Sequence, residues 1–281
     1  MLISHVPPRA FLSRRTPDQN QRISDTTDWT SCRKLGRHTG AGEGKKAQIG
    51  NGLGGRVKAS STKKSRRVLV IDVGGTHVKM LASGQKVPIK ILSGPEMTAR
   101  KMVRIVKNAV RDWKFDVISL GYPGPIINGR PLREPHNLGG GWVGFDFNRA
   151  FGKPVKLIND AAMQALGSYQ GGRMLFLGLG TGLGSAMIVD GILEPMELAH
   201  LLYKKGKTYE DYLGLRGLER LGRKKWRRYV AKVAKKLKSA LGADYMILGG
   251  GNCKELKEVP PGARLGNNEN AFLGGFRLWQ V

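Results

Sequence analysis

Two short apolar runs each end in a glycine turn that carries a threonine, and this recurrence constrains the fold more than any other feature. Val68-Leu69-Val70-Ile71 runs into Asp72-Val73-Gly74-Gly75-Thr76 and reads as a buried strand entering a tight turn. A second turn, Gly178-Leu179-Gly180-Thr181-Gly182-Leu183-Gly184, lies between apolar runs at 174–179 and 185–189, which together read as a hairpin. Strand, glycine turn and strand, near 72–76 and again near 178–184, predict two similar lobes facing a cleft.

The rest of the chain alternates strand and helix. Apolar residues at 99, 102, 103, 106, 109 and 110 predict an amphipathic helix over 97–111. Core strands are expected at 117–120 and 155–158, the latter followed by Asn159-Asp160 and a helix over 161–170. A strongly basic helix is expected over 226–241, a buried strand at 245–248, and a closing helix over 268–279. This order predicts an α/β fold with ligands at the carboxyl ends of strands. The expected division is a disordered basic tail at 1–67, an N-terminal lobe at 68–158 closed by a C-terminal helix at 267–281, and a C-terminal lobe at 159–266.

The formal net charge of +27 favours polyanionic partners. Residues 1–67 hold 15 Lys+Arg against 4 Asp+Glu, and the remainder holds 33 against 17, so the basicity belongs to the core as well. The first 67 residues carry scattered apolar side chains without helix or strand period, which predicts disorder. No apolar run approaches the roughly 18 residues of a membrane span, and no secretory apolar region follows Met1. Cys32 and Cys253 are too few for a disulfide framework or a four-thiolate metal site, and they fit a reducing cytoplasm.

Glycines at 74, 75, 180 and 182 remove side chains, so backbone N–H groups can approach a phosphate closely. Thr76 and Thr181 each add a hydroxyl donor, and Asp72 suits a hydrated Mg²⁺ that also binds phosphate oxygens. Neither turn has the Gly-Lys-Ser/Thr ending of a P-loop. Gly249-Gly250-Gly251 reads equally as a third donor seat or as a strand-to-helix turn. Asp160 reads equally as a helix N-cap or as a carboxylate that takes a proton from a substrate hydroxyl. Glu197 and His200, three apart, share a face of a helical turn and read as a solvated surface pair or as ligands for vicinal hydroxyls.

Asp72-Val73-Gly74-Gly75-Thr76, Asn159-Asp160-Ala161, Gly178 to Gly184 and Glu197-Leu198-Ala199-His200 occur in an order that resembles the ROK sugar kinases. The resemblance covers about 68–281 and implies the two-lobed actin-like ATPase (ribonuclease H-like) fold. It assigns Asp160 the base role, and sugar contacts to Asn137, Asn159, Glu197, His200 and Glu219. It assigns the donor to Asp72, Gly74, Gly75, Thr76 and Lys79, to Gly180, Thr181 and Gly182, and to Gly249, Gly250 and Gly251. Ala199 stands where the family usually has glycine. The stretch 209–219 has no cysteine where many members hold a structural zinc, so no thiolate zinc site is expected. Leu201 to Lys207, the basic run Leu221 to Trp226 and the close Ala271 to Arg277 look more like the polyphosphate glucokinase branch.

Positions 201–240 carry 14 Lys+Arg against 3 Asp+Glu. A solvated face accounts for such a run, and so does a polyanion that neutralises it. The expected activity is therefore transfer from polyphosphate, ATP or both to the 6-hydroxyl of glucose, with Mg²⁺. The alternatives are an ATP-dependent ROK kinase of another hexose, such as mannose, fructose or an N-acetylhexosamine, and a sugar-responsive regulator. Nucleic acid is the rival polyanion, but no recognised nucleic-acid module is present. A homodimer is implied by the resemblance alone.

Overall fold

The structure, a computed structural model, describes residues 66–267 and 269–280. The tail expected over 1–67 lies outside the described residues as far as position 65. Its last residue, Arg67, is anchored, with a guanidinium nitrogen 2.7 Å from Asp116 Oδ1. No helix among the described residues is long and apolar enough to cross a membrane.

In chain order the strands are β1 Val68–Val73, β2 His77–Ala82, β3 Ile89–Leu92, β4 Val117–Tyr122, β5 Ile126–Ile127, β6 Arg130–Pro131 and β7 Val155–Asn159. Then come β8 Arg173–Leu179, β9 Leu183–Val189, β10 Ile192–Met196, β11 Leu202–Lys204, β12 Lys207–Thr208, β13 Tyr245–Gly249 and β14 Ala263–Leu265. The α-helices are α1 Ala99–Ala109, α2 Phe147–Phe151, α3 Asp160–Ser168, α4 Tyr209–Leu213, α5 Leu215–Ala240 and α6 Asn270–Arg277.

Two five-stranded sheets repeat one plan. The first runs β3-β2-β1-β4-β7 and the second β10-β9-β8-β13-β14. In each, an antiparallel meander joins two parallel strands: β1 with β4 and β4 with β7, then β8 with β13 and β13 with β14. The glycine turns link β1 to β2 and β8 to β9, the equivalent hairpins of the two sheets.

The strands alternate their burial between distinct cores, as a sheet covered on both faces requires. Leu69, Ile71, Ile118 and Leu120 pack on the α1 and α2 side with Met102, Val106 and Trp142. Leu175, Leu177, Met246 and Leu248 pack on the α4 and α5 side with Trp226, Val230 and Val233. Val68, Val70, Phe176, Ala186 and Ile247 instead share a central core with α3 and α6. The order of layers is helices, sheet, the α3–α6 pair, sheet, helices.

The α3–α6 crossing is tight because glycine faces backbone. A Cβ on Gly274 would overlap the Met163 carbonyl, and one on Gly167 would overlap the Asn270 carbonyl. Arg277 closes the end of α3 by donating to the carbonyls of Leu166, Gly167 and Tyr169 at 2.7, 3.2 and 3.1 Å, which satisfies acceptors that a helix terminus otherwise leaves open. Ser119 Oγ donates to Gly275 O at 2.6 Å, tying α6 to β4.

Boundaries differ from the sequence reading where caps decide them. The first helix starts at Ala99 because the Thr98 side chain accepts from Lys101 N. The basic helix begins at Leu215 rather than 226, with a kink at Gly222 (φ 72) that breaks its period.

Candidate active site

The three parallel strands of the first sheet align Asp72 with Gly121, and Gly121 with Ile158, at their carboxyl ends. Gly121 has no side chain, and a Cβ there would lie 3.7 Å from Asp160 Cα. The Met163 methyl fills the space that such a Cβ would take, and Asp72 stands close enough to Asp160 for its charge to act on it. Asp72 is buried, with Lys79 Nζ 3.5 Å from its Oδ2.

Asn159 supplies the N-cap of α3: its Oδ1 accepts from Ala162 N at 3.0 Å, and its Nδ2 donates to Gly124 O at 3.0 Å. One amide N–H and one lone pair remain for another partner. Because Asn159 takes the cap, Asp160 is not needed for it. Asp160 Oδ1 accepts from Ala161 N at 2.8 Å, and the residue keeps a partial opening to solvent. Burial of the carboxyl, with the charges of Asp72 and Glu197 nearby, pushes its pKa up to about 7.

The two glycine turns are built alike. In the first, Gly74 N donates to His77 O at 2.9 Å. In the second, Gly180 N donates to Gly182 O at 3.1 Å. Among the described residues the N–H groups of Gly75, Thr76, Thr181 and Gly182 have no protein acceptor. Thr76 and Thr181 are exposed. Each turn thus offers two N–H groups and a hydroxyl to an anion.

Loops and helices hold these seats. Glu134 accepts from Trp142 N and Val143 N, each at 3.0 Å, and Trp142 Nε1 donates to Gly139 O at 2.7 Å. This staples the loop that lays Asn137 against the first turn, where a Cβ on Gly75 would lie 3.0 Å from Asn137 Cβ. The second turn is fixed through its carbonyls. Leu215 N, at the start of α5, donates to Gly180 O and Thr181 O at 3.1 and 3.2 Å, and Asn252 Nδ2 donates to Gly180 O at 2.7 Å.

Gly249, Gly250 and Gly251 meet this same turn. Gly250 (φ 87) presses on Leu179, so a Cβ there would lie 2.5 Å from Leu179 O. The strand-to-helix role is thus plain in the geometry, and Gly249 ends β13.

On the opposite side, Ser185 Oγ donates to Met196 O at 2.7 Å and accepts from Leu198 N at 3.2 Å, setting the segment that carries Glu197. Leu198–His200 forms a 3₁₀ turn that brings His200 Nε2 within 3.6 Å of Glu197 Oε2. Burial raises the Glu197 pKa, opposed by His200 and Arg133 and reinforced by Glu210.

Glu210 and Arg133 were missed in the sequence. Glu210 lies in the first turn of α4, whose start is fixed by a capping box between Thr208 and Asp211. Its Oε2 accepts from Leu183 N at 3.1 Å and sits 2.5 Å from where a Cβ on Gly182 would be. Thr208-x-x-Asp211 is a legible helix-start signal, but nothing local aims residue 210 at the glycine turn. Glu219 is exposed on α5, and among the described residues no hydrogen bond or ion pair joins it to this group. Glu210, rather than Glu219, is the glutamate whose charge reaches Glu197.

The arrangement collects four carboxylates, Asp72, Asp160, Glu197 and Glu210, between two N–H-lined turns. Among the described residues no group of three or more His, Cys, Asp or Glu has the geometry of a metal cluster. Asp72 is a carboxylate of the kind Mg²⁺ takes, one or two at a time, the ion drawing its other ligands from phosphate and water.

Residues 68–195 match the ROK family. A polyphosphate glucokinase of Mycobacterium tuberculosis (strain CDC 1551 / Oshkosh) is 29% identical over 213 residues, covering 68% of this chain and 80% of that protein. Among solved structures, the inorganic polyphosphate/ATP-glucomannokinase of Arthrobacter sp. strain KM superposes with a TM-score of 0.66 at 23% identity, covering 76% of this chain and 98% of that one. A ROK family glucokinase from Streptomyces griseus, solved with glucose and AMPPNP, gives a TM-score of 0.60 at 17% identity, over 75% and 98% of the two chains. The fold is the actin-like ATPase fold of these kinases, as the resemblance implied.

Proposed function

Starting from a chain that carries a ROK-family domain at 68–195, we propose that this protein is a sugar kinase that transfers a phosphoryl group from inorganic polyphosphate, ATP or both to the 6-hydroxyl of glucose. The observation that carries the reading is Asp160: a partly open carboxyl beside Asp72, released from capping by Asn159, with its pKa pushed up to about 7.

Phosphoryl transfer needs positioning and charge stabilisation more than covalent chemistry. In this reading the free N–H groups of Gly75, Thr76, Thr181 and Gly182 hold the donor phosphates. Asn137, Asn159, Glu197, His200 and Glu210 hold the sugar through its hydroxyls. Asp160 accepts the hydroxyl proton as the sugar oxygen bonds to phosphorus and the donor's bridging P–O bond breaks. Mg²⁺ held by Asp72 would supply positive charge to the phosphates, and Lys79 adds an ammonium beside the same carboxylate.

The relatives named for polyphosphate and for glucose support this choice of donor and acceptor. The 14 Lys+Arg of positions 201–240 support it as well. A steady-state assay of the purified protein with Mg²⁺ tests it, crossing polyphosphate and ATP with glucose, mannose, fructose and N-acetylhexosamines. Turnover of glucose with polyphosphate is expected. Turnover only with ATP and another hexose would replace the donor and acceptor named here.

A further inference from the structure

A second basic feature lies on the outer helical layer. The C-terminal half of α5 and the loop at 260–261 enclose a groove of about 600 Å³ lined by Lys232, Lys235, Lys238, Ser239, Pro260 and Pro261 among others. No acidic and no aromatic residue lines it. Lys232 and Lys235 are exposed, and Lys238 is half-buried. The stem of Lys238 lies over Gly262 (φ 75), where a Cβ would come 2.9 Å from Lys238 Cε. Glycine thus lets the loop close on this lysine and form one wall.

The three lysines have no compensating charge. None of the ion pairs among the described residues involves them, whereas Arg223, on the same helix, pairs with Glu255 at 2.6 Å. Positions 232, 235 and 238 recur every three residues and share one helix face. Leu215, at the start of this helix, touches the second glycine turn. With a rise of ~1.5 Å per residue, Lys232 lies up to roughly 25 Å along α5 from that end. A single donor molecule of ATP size seated at the turns does not span this interval.

We propose that the Lys232–Lys235–Lys238 groove is a docking site for a remote stretch of phosphate polymer, separate from the seats that hold the reacting phosphates. This rests on the reading of polyphosphate as donor. Three flexible ammonium groups suit a uniform row of phosphates, since lysine acts as a point charge without geometric demand. A base-bearing polymer is the poorer fit, because no aromatic ring lines the groove for bases to stack on. Holding the chain at a second point raises the effective concentration of its end at the recess.

The test compares the full chain with its Lys232→Gln/Lys235→Gln/Lys238→Gln variant, after thermal unfolding has shown that both are folded. Titration with long-chain polyphosphate and with tripolyphosphate is run over a salt series, together with steady-state turnover of each. Long-chain affinity is expected to fall about tenfold or more in the variant. Its log–log salt slope should drop by about two, at roughly 0.7 per lost phosphate contact. Tripolyphosphate affinity and kcat should not change, while KM for the long chain rises. Lys232→Gln and Lys235→Gln singly should each give part of the loss. Equal long-chain affinity in both proteins overturns the groove and leaves the donor reading intact. Turnover of ATP with none of polyphosphate overturns both. Loss of single-stranded oligonucleotide binding in the variant, with long-chain polyphosphate binding unchanged, overturns it in favour of nucleic acid.

Discussion

Asn159 and Asp160 are neighbours with different duties: the Asn159 carboxamide caps α3 through Ala162 N at 3.0 Å, and the Asp160 carboxyl is left beside Asp72. The first prediction separates them. Asp160→Asn keeps the shape and removes the proton acceptor, so kcat should fall by about 10²–10⁴ while sugar binding by calorimetry persists. Asn159→Ala should also cost about 1 kcal/mol in denaturant unfolding, through the lost cap.

The titration of Asp160 sets the pH dependence. Its folded-state pKa, about 7, lies above the ordinary carboxylate value because of burial first and then of Asp72 and Glu197. The reacting form is the anion, so kcat/KM should rise with pH through an apparent pKa near 7. Asp72→Asn removes one of the raising charges and should move this limb to lower pH.

Stability runs the opposite way. A raised acid binds its proton more tightly when folded, so its stabilising contribution is present at low pH and lost as pH rises through about 7. At pH 8, Asp160→Asn should be the more stable protein, by about 1–3 kcal/mol in urea unfolding. An unchanged or lower stability would contradict the desolvation ascribed to this carboxyl.

Gly182 and Glu210 are in contact, and Gly182→Ala would place its methyl 2.5 Å from Glu210 Oε2. The carboxylate must then leave Leu183 N. We expect a drop of about tenfold or more in kcat/KM at nearly unchanged Tm, and Glu210→Gln should share the loss, whereas Glu219→Gln should not. Loss of a positioned contact commonly has this size.

Gly274 and Arg67 bracket the stability scale. Gly274→Ala forces a methyl into the Met163 carbonyl, so a loss of roughly 3 kcal/mol or more, or failure to fold, is expected. Arg67→Ala breaks an ion pair whose partners are 50% and 45% exposed, and the denaturant midpoint should hardly move, because solvent screens such a pair.

Much of this was legible in the residues. Six-residue β1, wholly buried, announced itself as Val68-Leu69-Val70-Ile71, and the repeated glycine turn revealed the paired lobes. β2 and β3 were harder, because His77–Ala82 and Ile89–Leu92 mix lysine with apolar residues along half-buried strands. Glu210 escaped because its role arises from a contact with Gly182, 28 positions away in the chain. The start of α5 escaped because Gly222 interrupts the helical period on which the reading relied.

The most direct test of the central claim is single-turnover transfer from polyphosphate to glucose with Mg²⁺ at pH 8, comparing the natural protein with Asp160→Asn. The account predicts a 6-phosphorylated sugar from the natural protein and a rate about 10²–10⁴ lower from the variant, with glucose still bound. Equal rates from the two proteins would show that no carboxylate at position 160 takes the proton, and would contradict it.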